Sequence, residues 1–291
     1  MGDARFDTQV WRVGAATITS VVEDETVGIP PEFFFPEATA PRVAAHDWVV
    51  PDWADADGNI SLRVQALVVE CGGVTTVVDP CVGNGKVRSL FFWNEQSYPF
   101  LERFDAAGFD PAQVDQVLHT HLHADHVGWD TQLLDGTWVP TFTGARHLYT
   151  QAELDSLRER PDPAEDVYGD SVGPIFDAGL ADIVDVDADL GGGLRLEWTP
   201  GHTPGHVSLW IESDREQAFV TGDFMHHPVQ FAEPGWAEIG DADVDGARAT
   251  RRRLIESLAG RDVLVIGTHF GLRPAGHVVV DGDAWRFRPV S

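Results

Sequence analysis

Apolar and polar residues along the chain alternate with a period of two, or gather into short apolar runs cut off by glycine, proline and aspartate. This pattern predicts strands more often than helices. Residues 9–24 (QVWRVGAATITSVVED) read as one or two strands broken at Gly14. From Ser61 the chain runs strand, turn, strand through SLRVQALVVE, CGG and VTTVVDP, and Pro80, Gly83 and Gly85 end the run. Residues 97–107 (SYPFLERFDAA) suggest a helix, and a short helical start at Asp110-Pro111 precedes the apolar strand QVLHT. ARHLYTQ reads as strand and QAELDSLRER as helix, and strands dominate residues 182–222 through LRLEWT, HVSLWIES and QAFVTG. A helix over 244–259 leads to the buried-type strand DVLVIGT, and a hairpin around Asp281-Gly282 follows. Helices interleaved with strands in both halves predict two β-rich layers covered by helices, one domain built from two similar halves.

Residues 27–60 break this pattern. Pro30, Pro31, Pro36, Pro41 and Pro51 exclude regular helix or central strand, while Phe33, Phe34, Phe35, Trp48 and Trp53 supply much apolar surface. Such a segment packs on the main core as an ordered loop, caps a binding pocket, or forms a dimer contact.

With 291 residues, 43% of them hydrophobic, the chain can bury a sizeable core and is neither a disulfide miniprotein nor a disordered tail. Its 47 acidic and 20 basic side chains leave a formal charge of -27, which repels phosphate backbones and anionic membranes. Nucleic acid and membrane are therefore not expected as partners. Lys86 is the only lysine, and the sequence alone attaches no function to it. Cys71 and Cys81 are too few for a disulfide framework and too far apart for a CxxC pair, so both read as buried thiols. The N-terminus lacks signal-peptide and myristoylation patterns, and no apolar stretch approaches the roughly 20 residues that span a bilayer. A soluble cytoplasmic protein is expected.

The segment Thr120-His121-Leu122-His123-Ala124-Asp125-His126 follows a predicted strand and holds three imidazoles and a carboxylate. In extended backbone, residues two apart point the same way, so His121 and His123 can bind one cation together. A turn into helix then swings Asp125 and His126 to a second point nearby. Three further ligands stand at strand ends: His202 in TPGHTPGH, Asp223 in TGD and His269 in GTHFG. Asp223 suits a bridge, because a carboxylate offers one oxygen to each cation. The ligand sets are then His121, His123 and His202 for the first metal and Asp125, His126 and His269 for the second, with Asp223 between. Imidazole nitrogen and carboxylate oxygen suit two divalent ions, zinc above all, with manganese, iron or cobalt as alternatives. His119 and His206, beside these motifs, read as supports or packing, and Asp79 as a carboxylate partner for a ligating imidazole. His46, His147 and His277 read as ordinary hydrogen-bonded residues.

In this order and at these separations, THLHADH, TPGHTPGH, TGD and GTHFG resemble the metallo-β-lactamase superfamily of metal-dependent hydrolases, from about Ser61 to the C-terminus. The resemblance implies an α/β fold, an αββα four-layer sandwich, here with an aromatic- and proline-rich N-terminal segment and 1–291 forming a single metallo-hydrolase domain. It also implies a dinuclear, usually zinc, centre at one edge, and the seven ligands above match the superfamily pattern position by position. Asp223 stands where cysteine-ligated zinc β-lactamases carry Cys, which disfavours that activity. The basic tail of glyoxalase-II-like thioesterases is missing, and no room remains for the flavodoxin domain of flavodiiron proteins. The overall look is nearest to N-acyl homoserine lactonases and organophosphate or aryl-ester hydrolases, through the aromatic N-terminal segment, Trp129 after HVG, and HHPVQF after TGD. Lactonases commonly place Tyr three residues after the bridging Asp, whereas this chain has His226 there.

The expectation is a hydrolase whose metal-bridging hydroxide attacks an ester, lactone or related small molecule, with phosphotriesters as a further class. Asp125 is the candidate to carry the proton, and His226, with His227 as its rival, to donate to the developing oxyanion. The aromatic residues, with Phe224 and Met225, favour an apolar acyl or aryl group. A non-hydrolytic metal-binding or iron-dependent redox or oxygen-sensing protein on the same scaffold is the alternative, and a homodimer fits the aromatic surface.

Overall fold

In the computed structural model, which describes residues 4–159 and 164–290, the alternating segments form two seven-stranded sheets. The first half supplies β1 (Gln9–Val13), β2 (Ala16–Ile29), β3 (Ile60–Cys71), β4 (Val74–Val78) and β5 (Gln116–Leu118). A small hairpin follows, β6 (Thr131–Leu134) with β7 (Thr137–Pro140), and then β8 (Arg146–Thr150) and β9 (Ala181–Val184). The first sheet has the order β1-β2-β3-β4-β5-β8-β9. The second half supplies β10 (Asp189–Gly191), β11 (Leu194–Trp198), β12 (Val207–Ser213), β13 (Glu216–Val220), β14 (Val263–Ile266), β15 (Ala275–Asp281) and β16 (Ala284–Pro289), arranged in that order in the second sheet.

The period of two explains the layers. Leu67 and Val69 of β3 meet Leu196, Leu209 and Val220 of the second sheet in one core, while Ala66 and Val68 turn to the opposite face. That outer face is covered by α2 (Phe100–Ala106) through Phe100 and Phe104. The outer face of the second sheet is covered by α7 (Val244–Leu258), which buries Ala247, Arg251, Leu254, Ile255 and Leu258 on one stripe at helical spacing. Asp243 caps α7, its side chain accepting from Gly246 N at 3.0 Å. Each fully buried Leu, Ile or Phe on these faces contributes about 1.5–3 kcal/mol, so four layers form because both faces of both sheets are apolar. The αββα sandwich implied by the resemblance is the fold observed.

Between these elements lie α1 (Ala40–Ala44), α3 (Ala124–Val127), α4 (Gln151–Glu159), α5 (Gly173–Asp177) and α6 (Val229–Ala232). The helix expected over QAELDSLRER is α4; its last residue, Arg160, lies outside the described residues. Residues 27–60 depart from the expectation of no regular structure: β2 continues to Ile29, and α1 begins with Pro41 in its first turn, where proline is tolerated. Phe35, Val43, Val49 and Trp53 of this segment are fully buried in the core under α7.

Parallel pairing sets the position of the site. β4 pairs with β5, and β13 with β14, in parallel, so the loops after all four strands leave on the same edge of their sheets. A hydrogen bond from Val207 N to Thr120 O, 2.9 Å, joins the two halves there.

Candidate metal centre

The loop after β5 carries His121 and His123, and α3 turns the chain so that Asp125 and His126 face the same space. His202 comes from the loop between β11 and β12, Asp223 from the turn after β13, and His269 from the loop after β14. The structure thus brings together all seven residues expected to ligate. His121, His123, His202 and Asp223 offer donor atoms within 4.8 Å of one another, as do Asp125, His126 and His269. Asp223 Oδ2 lies 3.6 Å from both His121 Nε2 and His202 Nε2 and 3.2 Å from His126 Nε2, while Oδ1 lies 3.1 Å from His269 Nε2. The carboxylate therefore stands between the two groups.

Four of the five imidazoles have an orienting partner at the other nitrogen, while His123 points its Nδ1 at His202 Nε2, 2.9 Å away. His269 Nδ1 donates to Arg63 O (2.7 Å), and His202 Nδ1 to Asp241 Oδ1 (3.1 Å). His126 Nδ1 is 3.0 Å from Asp79 Oδ2, and His121 Nδ1 is 3.1 Å from Thr120 Oγ1. The hydrogen bonds of His269, His202 and His121 fix the proton on Nδ1, the Asp79 carboxylate favours it there in His126 by charge, and the four Nε2 lone pairs aim inward. Burial, and then the neighbouring imidazoles, push His121 and His123 well below the usual histidine range, which keeps them neutral. His121 Nε2 and Asp223 Oδ1 are buried with no hydrogen-bond partner among the described residues. Converging lone pairs without a donor fit a cation, and nitrogen with carboxylate oxygen is the donor set of zinc.

Asp79 holds this arrangement from beneath, accepting from Thr120 N and Thr120 Oγ1 at 2.7 Å each. His206, expected as support or packing, is support: Asp223 N donates to its Nε2 at 2.7 Å, and its Nδ1 meets Thr199 Oγ1 at 2.7 Å. Burial lowers it to about 3, so it stays neutral and can accept. Gly222 explains its own identity. It has φ +56°, and a Cβ there would lie 2.6 Å from His206 Nε2.

His226 and His227 separate clearly. His227 turns away: its Nε2 donates to Trp53 O (2.9 Å) and its Nδ1 accepts from Val229 N (3.1 Å). His226 lines the cavity, places Nε2 3.0 Å from Asp223 Oδ2, and keeps a buried Nδ1 without a partner. Burial alone would lower it, yet Asp223 raises it to about 9.

Several supports carried no sequence signal, among them Asp241, Glu238 and Glu153. Glu153 of α4 accepts from Leu122 N (3.1 Å) and Gly205 N (2.8 Å), clamping two ligand loops together. Buried Asp130 accepts from Tyr149 Oη and lies 2.9 Å from His119 Nε2 and 3.1 Å from His147 Nδ1. His147 is thus the hydrogen-bonded core residue expected.

The ligands open onto a cavity of about 610 Å³. Its apolar wall differs from the expectation. Phe224 and Met225 are buried in the core against α7, because the turn at Gly222–Phe224 directs them away. Ile29, Phe33, Phe34, Leu62, Phe92 and Trp93 line the cavity instead. Trp129 also lies elsewhere, stacked on Phe100 at 5.2 Å and donating to Glu23 Oε1 (2.6 Å).

Fold and site together define a two-sheet sandwich carrying a paired histidine and carboxylate centre at its edge. The sequence pattern of the Metallo-beta-lactamase superfamily matches residues 62–269, and the chain belongs to that superfamily. It is 31% identical over 120 residues to a probable metallo-hydrolase, YflN, of Bacillus subtilis (38% of this chain, 44% of that protein). It is 32% identical over 121 residues to the N-acyl homoserine lactonase AttM of Rhizobium radiobacter (38% and 41%), and 30% identical over 155 to a hydroxyacylglutathione hydrolase of Methylococcus capsulatus (53% and 43%). These matches span less than half the length of each relative. Among solved structures, the dizinc quorum-quenching lactonase AidC superposes with a TM-score of 0.77 at 19% identity over 99% of both chains. The hydrolase AbOPH gives 0.78 at 22% identity over 98% of this chain and 97% of that one. No helix among the described residues is long and apolar enough to cross a membrane.

Proposed function

We propose that the protein is a dinuclear metal-dependent hydrolase acting on esters, lactones or related small molecules with an apolar acyl or aryl group. The observation that carries this reading is the shared Asp223 between two donor groups at the floor of a cavity with aromatic walls. His121, His123 and His202 would hold one ion and Asp125, His126 and His269 the other. Zinc suits both sets. Such a pair, when bound, supplies a water acidified toward neutral pH and an electrophile for the substrate oxygen.

The chain's own residues do the rest. Asp125, 8% exposed and lining the cavity, takes the proton from the attacking water and delivers it to the leaving oxygen. His226 holds Asp223 in place through Nε2 and lines the cavity beside it, and its imidazolium would stabilise the substrate's developing oxyanion. Phe33 and Phe34 bring residues 27–60 over the cavity as a cap, tied down by Ile239 N donating to Phe34 O at 2.9 Å.

The test is metal analysis with a panel of lactones, carboxyl esters, thioesters and phosphotriesters. Two equivalents of zinc with turnover of at least one class is expected, and His123→Ala should abolish it with the fold intact. One equivalent of iron with oxygen consumption and no hydrolysis would replace this reading with a redox function.

A further inference from the structure

We infer that the cavity selects substrates carrying a positively charged amine remote from the scissile bond, and that Glu238 is the residue that reads it. The inference rests on the hydrolase reading above and names its substrate class.

Among the described residues that line the cavity there is no lysine or arginine, yet three carboxylates outside the ligand groups stand in its wall: Glu32, Glu165 and Glu238. Glu165 is engaged by Ser89 N at 2.8 Å, and Glu32 is exposed. Glu238 differs from both. It is 7% exposed, and its one hydrogen bond, from Gly240 N, goes to Oε2, as does its contact of 3.6 Å with His202 Nδ1. Oε1 receives no hydrogen bond from the described residues, although the side chain lines the cavity. A carboxylate oxygen held in a cavity wall without a donor from the described residues is an open acceptor, and a charged donor satisfies it best.

The loop that presents Glu238 is anchored on every side. Arg251 donates to Trp236 O (2.8 Å), Ala242 N to His202 O (2.9 Å), and Glu238 N to Asp241 Oδ2 (3.0 Å). The carboxylate is therefore held at the cavity instead of swinging into water. The same cavity is lined by a run of packed aromatic rings, the residue type that attracts cations: Phe33 and Phe34 with centroids 5.1 Å apart, Phe33 and Phe92 at 6.2 Å, and Phe92 and Trp93 at 5.4 Å. Two divalent ions held by the ligand groups would outweigh Asp125 and Asp223, making the loaded site positive below and negative in its wall. A substrate with its carbonyl oxygen at the floor and an ammonium toward Glu238 matches both ends, and a carboxylate-bearing one is repelled by the wall.

The test uses three esters of one apolar acid whose alcohol ends in a protonated dimethylamino group, an isosteric isopropyl group or a carboxylate, with the three matching ethers as ligands that are not hydrolysed. For the wild-type zinc protein, kcat/KM should fall in the order amine, isopropyl, carboxylate. The amine-to-isopropyl ratio should be about tenfold or more, as expected for one charge-assisted hydrogen bond, and should shrink with added salt. Glu238→Gln should lower that ratio roughly tenfold and Glu238→Asp should retain part of it, a discrimination that a purely structural role would not move. Equal or better turnover of the isopropyl ester by wild type overturns the inference, and so does an unchanged ratio in a folded, metal-loaded Glu238→Gln. Should none of the esters turn over, calorimetry with the ethers decides separately. Tighter binding of the amine ether, lost in Glu238→Gln, upholds the cation site while the hydrolase reading falls, and equal binding of all three ends both.

Discussion

Asp79→Asn isolates one atom of the support beneath the metal centre. Asp79 has φ 52°, a left-handed conformation that asparagine also tolerates, so the backbone need not move. The amide oxygen can keep the 2.7 Å bond from Thr120 N. The amide nitrogen takes the place of Oδ2, which accepts from Thr120 Oγ1 at 2.7 Å and lies 3.0 Å from His126 Nδ1. An NH2 group cannot accept, so His126 is driven to carry its proton on Nε2, the nitrogen that faces the site. Loss of such an outer partner typically costs roughly 10–100-fold in metal affinity, or about 1.4–2.8 kcal/mol. The lost charged hydrogen bond costs the fold about 2 kcal/mol more, a drop in Tm of roughly 4–8 °C. Chelator competition measures the first quantity and thermal unfolding of the metal-free protein the second. Thr120→Val leaves the carboxylate facing His126 but removes the acceptor of His121 Nδ1, so it should weaken metal binding through His121 and leave the tautomer of His126 unchanged. A variant that melts earlier but binds metal within twofold of wild type would refute the assignment of Asp79 to the centre.

Gly222→Ala must place a methyl group 2.6 Å from His206 Nε2 at φ +56°, so it should cost about 1–2 kcal/mol from the backbone alone and weaken metal binding by displacing Asp223. Retained affinity by chelator competition would show that His206 does not position that carboxylate. Burial raises Glu23 from 4.5 to about 7, so the folded protein holds this proton more tightly than the unfolded chain. Its stabilisation is complete below about pH 4.5 and is lost as pH rises through 7; Glu23→Gln should therefore gain on wild type between pH 5 and 8, by up to about 3 kcal/mol in denaturant unfolding. A stability difference independent of pH would remove this account. Lys86 is enclosed by Thr131 Oγ1 (2.8 Å), Asp170 O (2.7 Å), Ser171 Oγ (3.0 Å) and the Trp138 ring (4.0 Å). Peptide mapping after treatment with an amine-reactive reagent should find Lys86 unmodified in the native protein and modified after denaturation, and native labelling would contradict its burial.

What was legible in the sequence was whatever depends on spacing. The alternation in β3 and β12 reports two buried faces, and HxHxDH reports side chains that local backbone alone can converge. Illegible was whatever depends on which distant segment arrives. Asp241 reaches His202 from a loop 39 residues away, and Glu153 reaches Leu122 from 31, and neither acid looks different from its solvated neighbours. Phe224 and Met225 sit beside Asp223 in sequence, yet the turn sends them into the core. One signal was present without a meaning attached. A lone lysine among arginines marks a position where a compact ammonium is enclosed by four groups, a geometry a planar guanidinium does not match.

Four of the five ligating imidazoles owe their aim to four different places: the end of β4 through Asp79, the loop before α7 through Asp241, the backbone of β3 through Arg63, and Thr120 beside the ligand loop itself. Metal affinity is therefore a property of the assembled sandwich and not of the HxHxDH segment alone. Linkage makes the converse hold, because ions that bind only the assembled site stabilise both halves at once. At a free ion concentration about 100 times Kd, each site adds about 2.7 kcal/mol. Chelation should accordingly lower Tm for the whole chain in one transition, because His121, His126 and their supports come from the first sheet's loops and His202, Asp223 and His269 from the second's. If chelation instead melted one half while the other kept its Tm, the centre would belong to a single sheet, and the coupling through Val207 N to Thr120 O and the Glu153 clamp would be too weak to join them.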